Sequence, residues 1–293
     1  MLLIGESLNV ISTKIGRAFK ERNPLPIQEE AKKQKELGMD FIDINLGPAR
    51  KGGPELMEWV VKTVQEVVDD VPLTLDTSNI EAIEAGLAVC KGRPLINSIM
   101  CRPARYEKML PLCAKYNAGM IALLWGPSGM PRDEHERAEL AVELVYAANE
   151  AGIANEDIFV DGIVTPVNVQ QDQVYSLLQF MPMVQDLGEG LRSTCGLSNV
   201  SNGSPDHLRP IINRTYMVML EKCGMYSAIA DAYDQDLVDI AKGKRSDIVE
   251  IIGKVMDEET IDMSSISKEL QDYVKTARIL LKKALYSDSW LEL

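Results

Sequence analysis

A chain of 293 residues with 46% hydrophobic content can bury one barrel-sized core or two ordinary ones, and one large domain, residues 1–293, is the better fit. Its net charge of −13 argues against a nucleic-acid backbone as partner, which demands clustered Lys and Arg. No apolar run is long enough to cross a bilayer. The five cysteines (Cys90, Cys101, Cys113, Cys195 and Cys223) form no CxxC pair, and Met1 opens no export signal, so a soluble chain in a reducing cytoplasm is expected.

Leu2 to Glu6 reads as a first strand ending in Gly5-Glu6, and Pro26 to Leu37 has helical spacing with its charges on one side. Phe41 to Asn45 is a second strand, stopped by Gly47-Pro48; alternation puts Asp43 and Asn45 on one face and the isoleucines on the other. A helix over Pro54 to Val68 leads into LTLDTSN, Leu73 to Asn79. Here Leu73, Thr74 and Leu75 suit a buried parallel strand, and Thr77, Ser78 and Asn79 are helix-capping types. Asp76 thus stands where a strand ends and a helix begins. It either caps that helix or faces a ligand.

The pattern then recurs. Ile80 to Val89 is helical, Pro94 to Ser98 is a strand ending in Asn97, and Arg105 to Tyr116 is a helix. Met120 to Trp125 makes a fifth strand, followed by the loop Gly126 to Gly129 and a strongly patterned helix over Asp133 to Ala151. Ile158 to Gly162 is a sixth strand carrying Asp161 at its end, and Val169 to Leu187 is helical. Ser193 to Ser198 is a seventh strand running into Asn199 to Ser204. A helix over Pro210 to Cys223 precedes an eighth strand, Ser227 to Asp231. Strands alternating with helices every roughly 30 residues predict an α/β fold, a (β/α)₈ TIM barrel. From about residue 236 to 285 the chain is helical and charged beyond the needs of one barrel helix, so an enlarged helical C-terminal segment is expected, either a solvated or oligomer-contacting face or a docking surface for a partner.

The strand ends of such a barrel carry its chemistry. They present Glu6, Asp43, Asn45, Asp76, Asn97, Asp161, Asn199 and Asp231, carboxylates and amides almost throughout. No Lys ends a strand, which removes Schiff-base chemistry. The two histidines, His135 and His207, lack metal-ligand spacing, so no metal centre is expected. Acids and amides around one mouth suit a flat heterocycle with adjacent N–H donors, such as the 2-amino-4-oxo edge of a pterin, but Asp and Asn are equally hard ligands for a divalent cation. The residues alone leave both open.

Eight motifs in order, IGESLN, FIDINLGP, LTLDTSN, LINS, FVDGIVTP, CGLSNVSNG, PIINRTYMVML and SAIADAYD, resemble the pterin-binding methyltransferases. The resemblance is strongest to methyltetrahydrofolate:corrinoid protein methyltransferases, of the corrinoid iron-sulfur protein or O-demethylase type, and runs from Met1 to about Asp234, resuming at ALYSDSW. Dihydropteroate synthase is less similar, lacking counterparts of its late Lys and Ser-Arg motifs here. The resemblance implies that Asp76, Asn97 and Asp161 hold the pterin edge and that Asn199 turns toward N5 of the folate. Gly196, Ser198, Asn202 and Arg209 would line the same mouth. It further implies tetrahydrofolate or 5-methyltetrahydrofolate as substrate, cobalamin carried by a partner corrinoid protein, and a homodimer. The chain departs from the family pattern at Ile99-Met100-Cys101 after Ser98, at Gly162 after Asp161, and in a longer loop from Asn202 to Leu208. The competing expectation is a dihydropteroate-synthase-like or phosphate-binding barrel enzyme that uses GLSNVSNG as an anion cradle.

Overall fold

The protein is described here by a computed structural model covering residues 1–292. Eight parallel strands form one sheet: β1 (Leu2–Asn9), β2 (Phe41–Gly47), β3 (Leu73–Thr77), β4 (Leu95–Met100), β5 (Gly119–Leu123), β6 (Ile158–Asp161), β7 (Arg192–Thr194) and β8 (Ser227–Ala230). Strands β1 to β7 pair in chain order and β8 returns to β1, the order of a TIM barrel. The last seam, between β7 and β8, is thin. It is held by the Ile229 amide on the Cys195 carbonyl at 2.8 Å and by Ser227 Oγ on the Ser193 carbonyl at 3.0 Å.

Alternation along the strands divides the core in two. Ile42 and Ile44 point outward into the main apolar layer beneath the helices, as the sequence pattern predicts. Inward-pointing Leu95, Ile121 and Phe159, with Phe41 and Ile229 against them, plug the floor of the barrel. Above that plug the inward positions become polar. Register aligns them, with Asp43 level with Thr74, Asp76 level with both Asn45 and Asn97, and Leu123 level with Asp161.

The helices lie close to their expected spans: α2 (Pro24–Glu36), α3 (Gly53–Gln65), α4 (Ile80–Val89), α5 (Pro103–Tyr116), α6 (Glu134–Glu150), α7 (Val167–Leu187) and α8 (Arg209–Lys222). One helix is additional. α1 (Thr13–Glu21) is capped by Ser12 and buries Ile15, Ala18 and Phe19, an i, i+3, i+4 stripe that the sequence displays but the strand-by-strand reading passed over. Gly16 makes its packing possible, since a Cβ there would lie 2.4 Å from the Val10 carbonyl oxygen. Four strands end earlier than expected: β6 and β8 by one residue, at Asp161 and Ala230, β5 at Leu123, and β7 at Thr194, so that Leu197–Ser201 is a short 3₁₀ turn.

The C-terminal segment is helical, as expected, but in three pieces: α9 (Gln235–Ala241), α10 (Ser246–Met256) and α11 (Lys268–Leu280). α10 and α11 pack together and both contact α8. The tail folds back over them. Trp290 is buried with its indole N–H on Thr276 Oγ1 at 3.0 Å, and the Tyr286 hydroxyl reaches Ser204 Oγ at 2.8 Å.

Candidate active site

The strand ends enclose a cavity of about 310 Å³ lined by Glu6, Asp43, Asn45, Asp76, Asn97, Asp161, Gly196, Ser198 and Asn199, with Asn9, Ser98, Leu123, Ile163, Val164 and Ile229 completing its wall. Side chains from seven strands and the turn after β7 therefore share one hollow. Asp76 does not cap the following helix: Asn79 does, its side chain accepting the Ala82 amide at 3.1 Å, which leaves the Asp76 carboxyl for the cavity. The lining holds four carboxyls and no Lys, Arg or His. Among the described residues no group of three or more His, Cys, Asp or Glu is arranged to hold a metal ion.

On the β2–β4 side the polar groups interlock. Thr74 Oγ1 and Asn97 Nδ2 both donate to Asp43, the latter at 3.1 Å, and Asn45 Nδ2 donates to Asp76. Because Asp43 takes the Asn97 amino group, the Asn97 carbonyl oxygen is left to accept from a ligand. Burial pushes the Asp43 carboxyl up to about 6 against the pull of those two hydrogen bonds. Burial, with a smaller contribution from the Asp43 charge, pushes Asp76 up to about 8, which favours its protonated form.

Asp161 rises to about 6, again through burial, opposed by the Ile163 amide at 2.8 Å and by the charge of Arg137. Ile163 adopts φ 68°, a left-handed conformation uncommon for a β-branched residue, and this sharp turn brings its amide back onto Asp161. Arg137, fully buried on α6, holds the next carbonyl, Gly162, at 2.7 Å and bonds Ser176 Oγ and Gln173 Oε1. It is a buried cation behind an anionic wall. Strand-end reading could not find it, because it lies in mid-helix; Thr74, hidden among strand apolars, escaped for a similar reason.

The β7 side is more open. Glu6 receives Ser198 Oγ at 2.7 Å, and its carboxyl is raised chiefly by burial, with that hydrogen bond opposing. Asn199 is exposed at the rim, its Oδ1 accepting Asn202 Nδ2 at 3.1 Å. Asn202 lies behind Asn199, outside the cavity wall. Arg209 and Asp231 border a second hollow of about 480 Å³ that meets the first across Glu6 and Ser198.

Residues 5–229 match the family model described as "Pterin binding enzyme". The chain belongs to the pterin-binding enzymes. Within that family it is similar to the methylcorrinoid:tetrahydrofolate methyltransferase of Eubacterium limosum, 28% identical over 81% of this chain and 88% of that one. It is also similar to the methionine synthase of Mycobacterium leprae, 25% identical over 79% of this chain but only 20% of that much longer protein. The fold matches solved dihydropteroate synthases: that of Coxiella burnetii in complex with pteroic acid at a TM-score of 0.64 and 16% identity, covering 84% of this chain and 93% of that one, and that of Thermus thermophilus at 0.61 and 18%, covering 82% and 93%. At such identities those structures speak to the barrel alone. The pterin-binding resemblance read from the motifs is thus shown at the level of the family.

Proposed function

We propose that the chain moves a methyl group between N5 of a tetrahydrofolate and the cobalt of a corrinoid carried by a partner protein. The observation that carries this reading is that Asp76, Asn97, Asp161 and Asn199 share one cavity. Its volume lies within the range of small-molecule sites, ~300–1,000 Å³, and suits a bicyclic ring rather than a macrocycle, so the corrin would meet the methyl from outside. Similarity to the E. limosum methyltransferase supports the choice of reaction.

The chemistry follows from the groups present. The 2-amino and ring N–H donors of a pterin meet the Asp76 and Asp161 carboxyls, which ionise as those donors replace lost water, and the Asn97 carbonyl accepts a further N–H. With the ring held, N5 and its methyl face the Asn199 rim. A methyl on a tertiary amine is a poor electrophile unless the nitrogen gains a proton or a hydrogen bond as the C–N5 bond breaks. Asn199 Nδ2 supplies that hydrogen bond, strongest as the electron pair returns to N5, and a proton from solvent at the open rim completes the N5–H of tetrahydrofolate; the reverse transfer gives that proton back to solvent. The low-valent corrinoid supplies the electron pair that forms the new bond to carbon, in a reversible in-line SN2 displacement. Alignment by the fixed ring contributes the remainder.

In acetogenic metabolism the methyl would leave the folate; in O-demethylation it would run the other way, onto tetrahydrofolate. Asp43, Asn45 and Glu6 support the binding groups in this reading. The chain acts as one pterin-binding unit, a homodimer in a reducing cytoplasm, with the 236–285 segment as its outer helical layer; light scattering tests the assembly. The function is tested by incubating the protein with 5-methyltetrahydrofolate and titrating with cob(I)alamin. Methylcobalamin spectra are expected at a rate proportional to protein. Tight folate binding with no methylcobalamin would reduce the protein to a folate carrier.

A further inference from the structure

Asn199 can do its work only if its amide points one way, and the two ends of an amide have nearly the same shape. We propose that Arg209 and Asn202 are positioning residues that set this direction, acting as a hydrogen-bond relay and not as substrate contacts; the proposal rests on the N5 role given above to Asn199. A guanidinium has donors only. Arg209 Nη2 donates to Asn202 Oδ1 at 3.4 Å, which obliges the other end of Asn202, Nδ2, to be the donor that meets Asn199. That contact, 3.1 Å to Asn199 Oδ1, obliges Asn199 in turn to keep Nδ2 free, and among the described residues it donates to nothing. The polarity of a residue bordering the second hollow is thus passed through two amides to the rim of the first.

Two neighbours support the arrangement. Arg209 is itself anchored, its Nε donating to Ser201 Oγ at 3.3 Å while that hydroxyl donates to the Ser198 carbonyl at 3.2 Å, so the guanidinium is tied to the same 3₁₀ turn that bears Asn199. Gly196 leaves room for the free amino group, since a Cβ there would lie 2.9 Å from Asn199 Nδ2. None of these residues lines the floor on which the ring edge would rest.

The relay makes an ordering that a merely structural role reverses. Asn202→Asp keeps the shape and strengthens the contact to Arg209, but an ionised carboxylate cannot donate, so Asn199 must turn its amino group inward and offer its oxygen to N5. Asn202→Ala leaves Asn199 free to adopt either direction. With 5-methyltetrahydrofolate saturating and cob(I)alamin as acceptor, Asn202→Ala is expected to slow transfer only about 2–5-fold, and Asn202→Asp about 10²-fold, approaching the loss of one preorganised donor, with folate affinity by calorimetry nearly unchanged in both. The added negative charge would by itself favour protonated N5, so a slower Asn202→Asp enzyme cannot be attributed to it. Asn202→Asp transferring as fast as or faster than Asn202→Ala, while Asn199→Ala is slow, overturns the relay alone. Full activity of Asn199→Ala overturns the N5 reading and the relay with it.

Discussion

The two sides of the mouth are built differently. On the β2–β4 side, five polar residues from three neighbouring strands bond in two groups, Thr74 and Asn97 to Asp43 and Asn45 to Asp76, and Asp43 and Thr74 are wholly enclosed. On the β7 side a three-residue strand gives way to a 3₁₀ turn, and Asn199 stands exposed, held by other side chains on the same turn and on α8. The rigid side is suited to holding a ring at constant geometry in substrate and product. The open side is suited to a group whose interaction strengthens only as a bond breaks, next to a rim that a second protein can reach. Binding and chemistry should therefore separate by side when each is mutated.

The largest effect is expected on the open side. Asn199→Ala should lower the transfer rate at saturating folate by ~10²–10³-fold, the loss typical of one preorganised donor at a developing charge, while leaving the folate Kd within a few-fold. Single-turnover formation of methylcobalamin reads the rate and calorimetry the affinity. A loss seen in affinity instead would put Asn199 with the ring-holding groups and erase the division.

Asp161→Ala tests ring holding from β6, outside the β2–β4 network. It removes a buried carboxyl already held by the Ile163 amide, so its rotamer is set before the ligand arrives. Loss of its charge-assisted hydrogen bonds should weaken 5-methyltetrahydrofolate by ~1–3 kcal/mol in calorimetry, with transfer at saturation much less affected. Unchanged affinity would remove Asp161 from the binding set.

How much of this was visible beforehand depended on the physics of each residue. Strand alternation and the recurrence of Asp or Asn at strand ends made the barrel, and most of its inward polar ring, legible. They did so because a parallel strand buried on both faces has few places for a polar residue except its ends. The raised carboxyls were not legible. Asp76 at about 8 follows chiefly from burial in the folded mouth, and to a smaller extent from the charge of Asp43, which is 33 residues earlier. Arg137 and Thr74 act from the interior of a helix and a strand, and the direction of Asn199 depends on Arg209 ten residues later, across a turn whose shape no periodicity encodes. The Ser12 cap and the Ile15, Ala18, Phe19 stripe encode α1 locally, in the chain between the first two strands.

The ring-holding side should also lose stability as pH rises, most strongly through Asp76. Asp76 has an ordinary value of 3.8 and stands at about 8 in the folded protein. Below pH 4 the carboxyl is protonated whether the chain is folded or not, so it imposes no penalty. Between pH 4 and 8 the unfolded chain loses the proton and the folded one keeps it, so stability falls as pH rises; above about 8 the penalty is constant. Asp76→Asn retains an oxygen to accept from Asn45 and cannot ionise. Its unfolding free energy relative to the parent, from denaturant titration, should be nearly equal at pH 4, rise through neutrality to a gain of at least ~1 kcal/mol, and level off near pH 8, at the expense of folate binding. A gain independent of pH would show that crowding, not charge, is what the mutation relieves.

The smallest effect concerns how the open side is steadied from outside. Tyr286, in the tail beyond α11, donates to Asp288 at 2.8 Å and accepts from Ser204 Oγ at 2.8 Å, two residues from Asn202, and its ring packs against buried Trp290 at 5.3 Å between centroids. Tyr286→Phe keeps the ring packing and removes only the hydroxyl. The loss of its hydrogen bonds to Ser204 and to the exposed Asp288 should lower stability by ~0.5–1.5 kcal/mol, and transfer should slow about 2-fold with folate affinity unchanged, because the strands that hold the ring are untouched. Thermal unfolding and single-turnover transfer measured on the same preparation decide the point. If folate affinity falls along with the rate, the tail steadies the whole mouth, and the two sides are less independent than their hydrogen bonding implies.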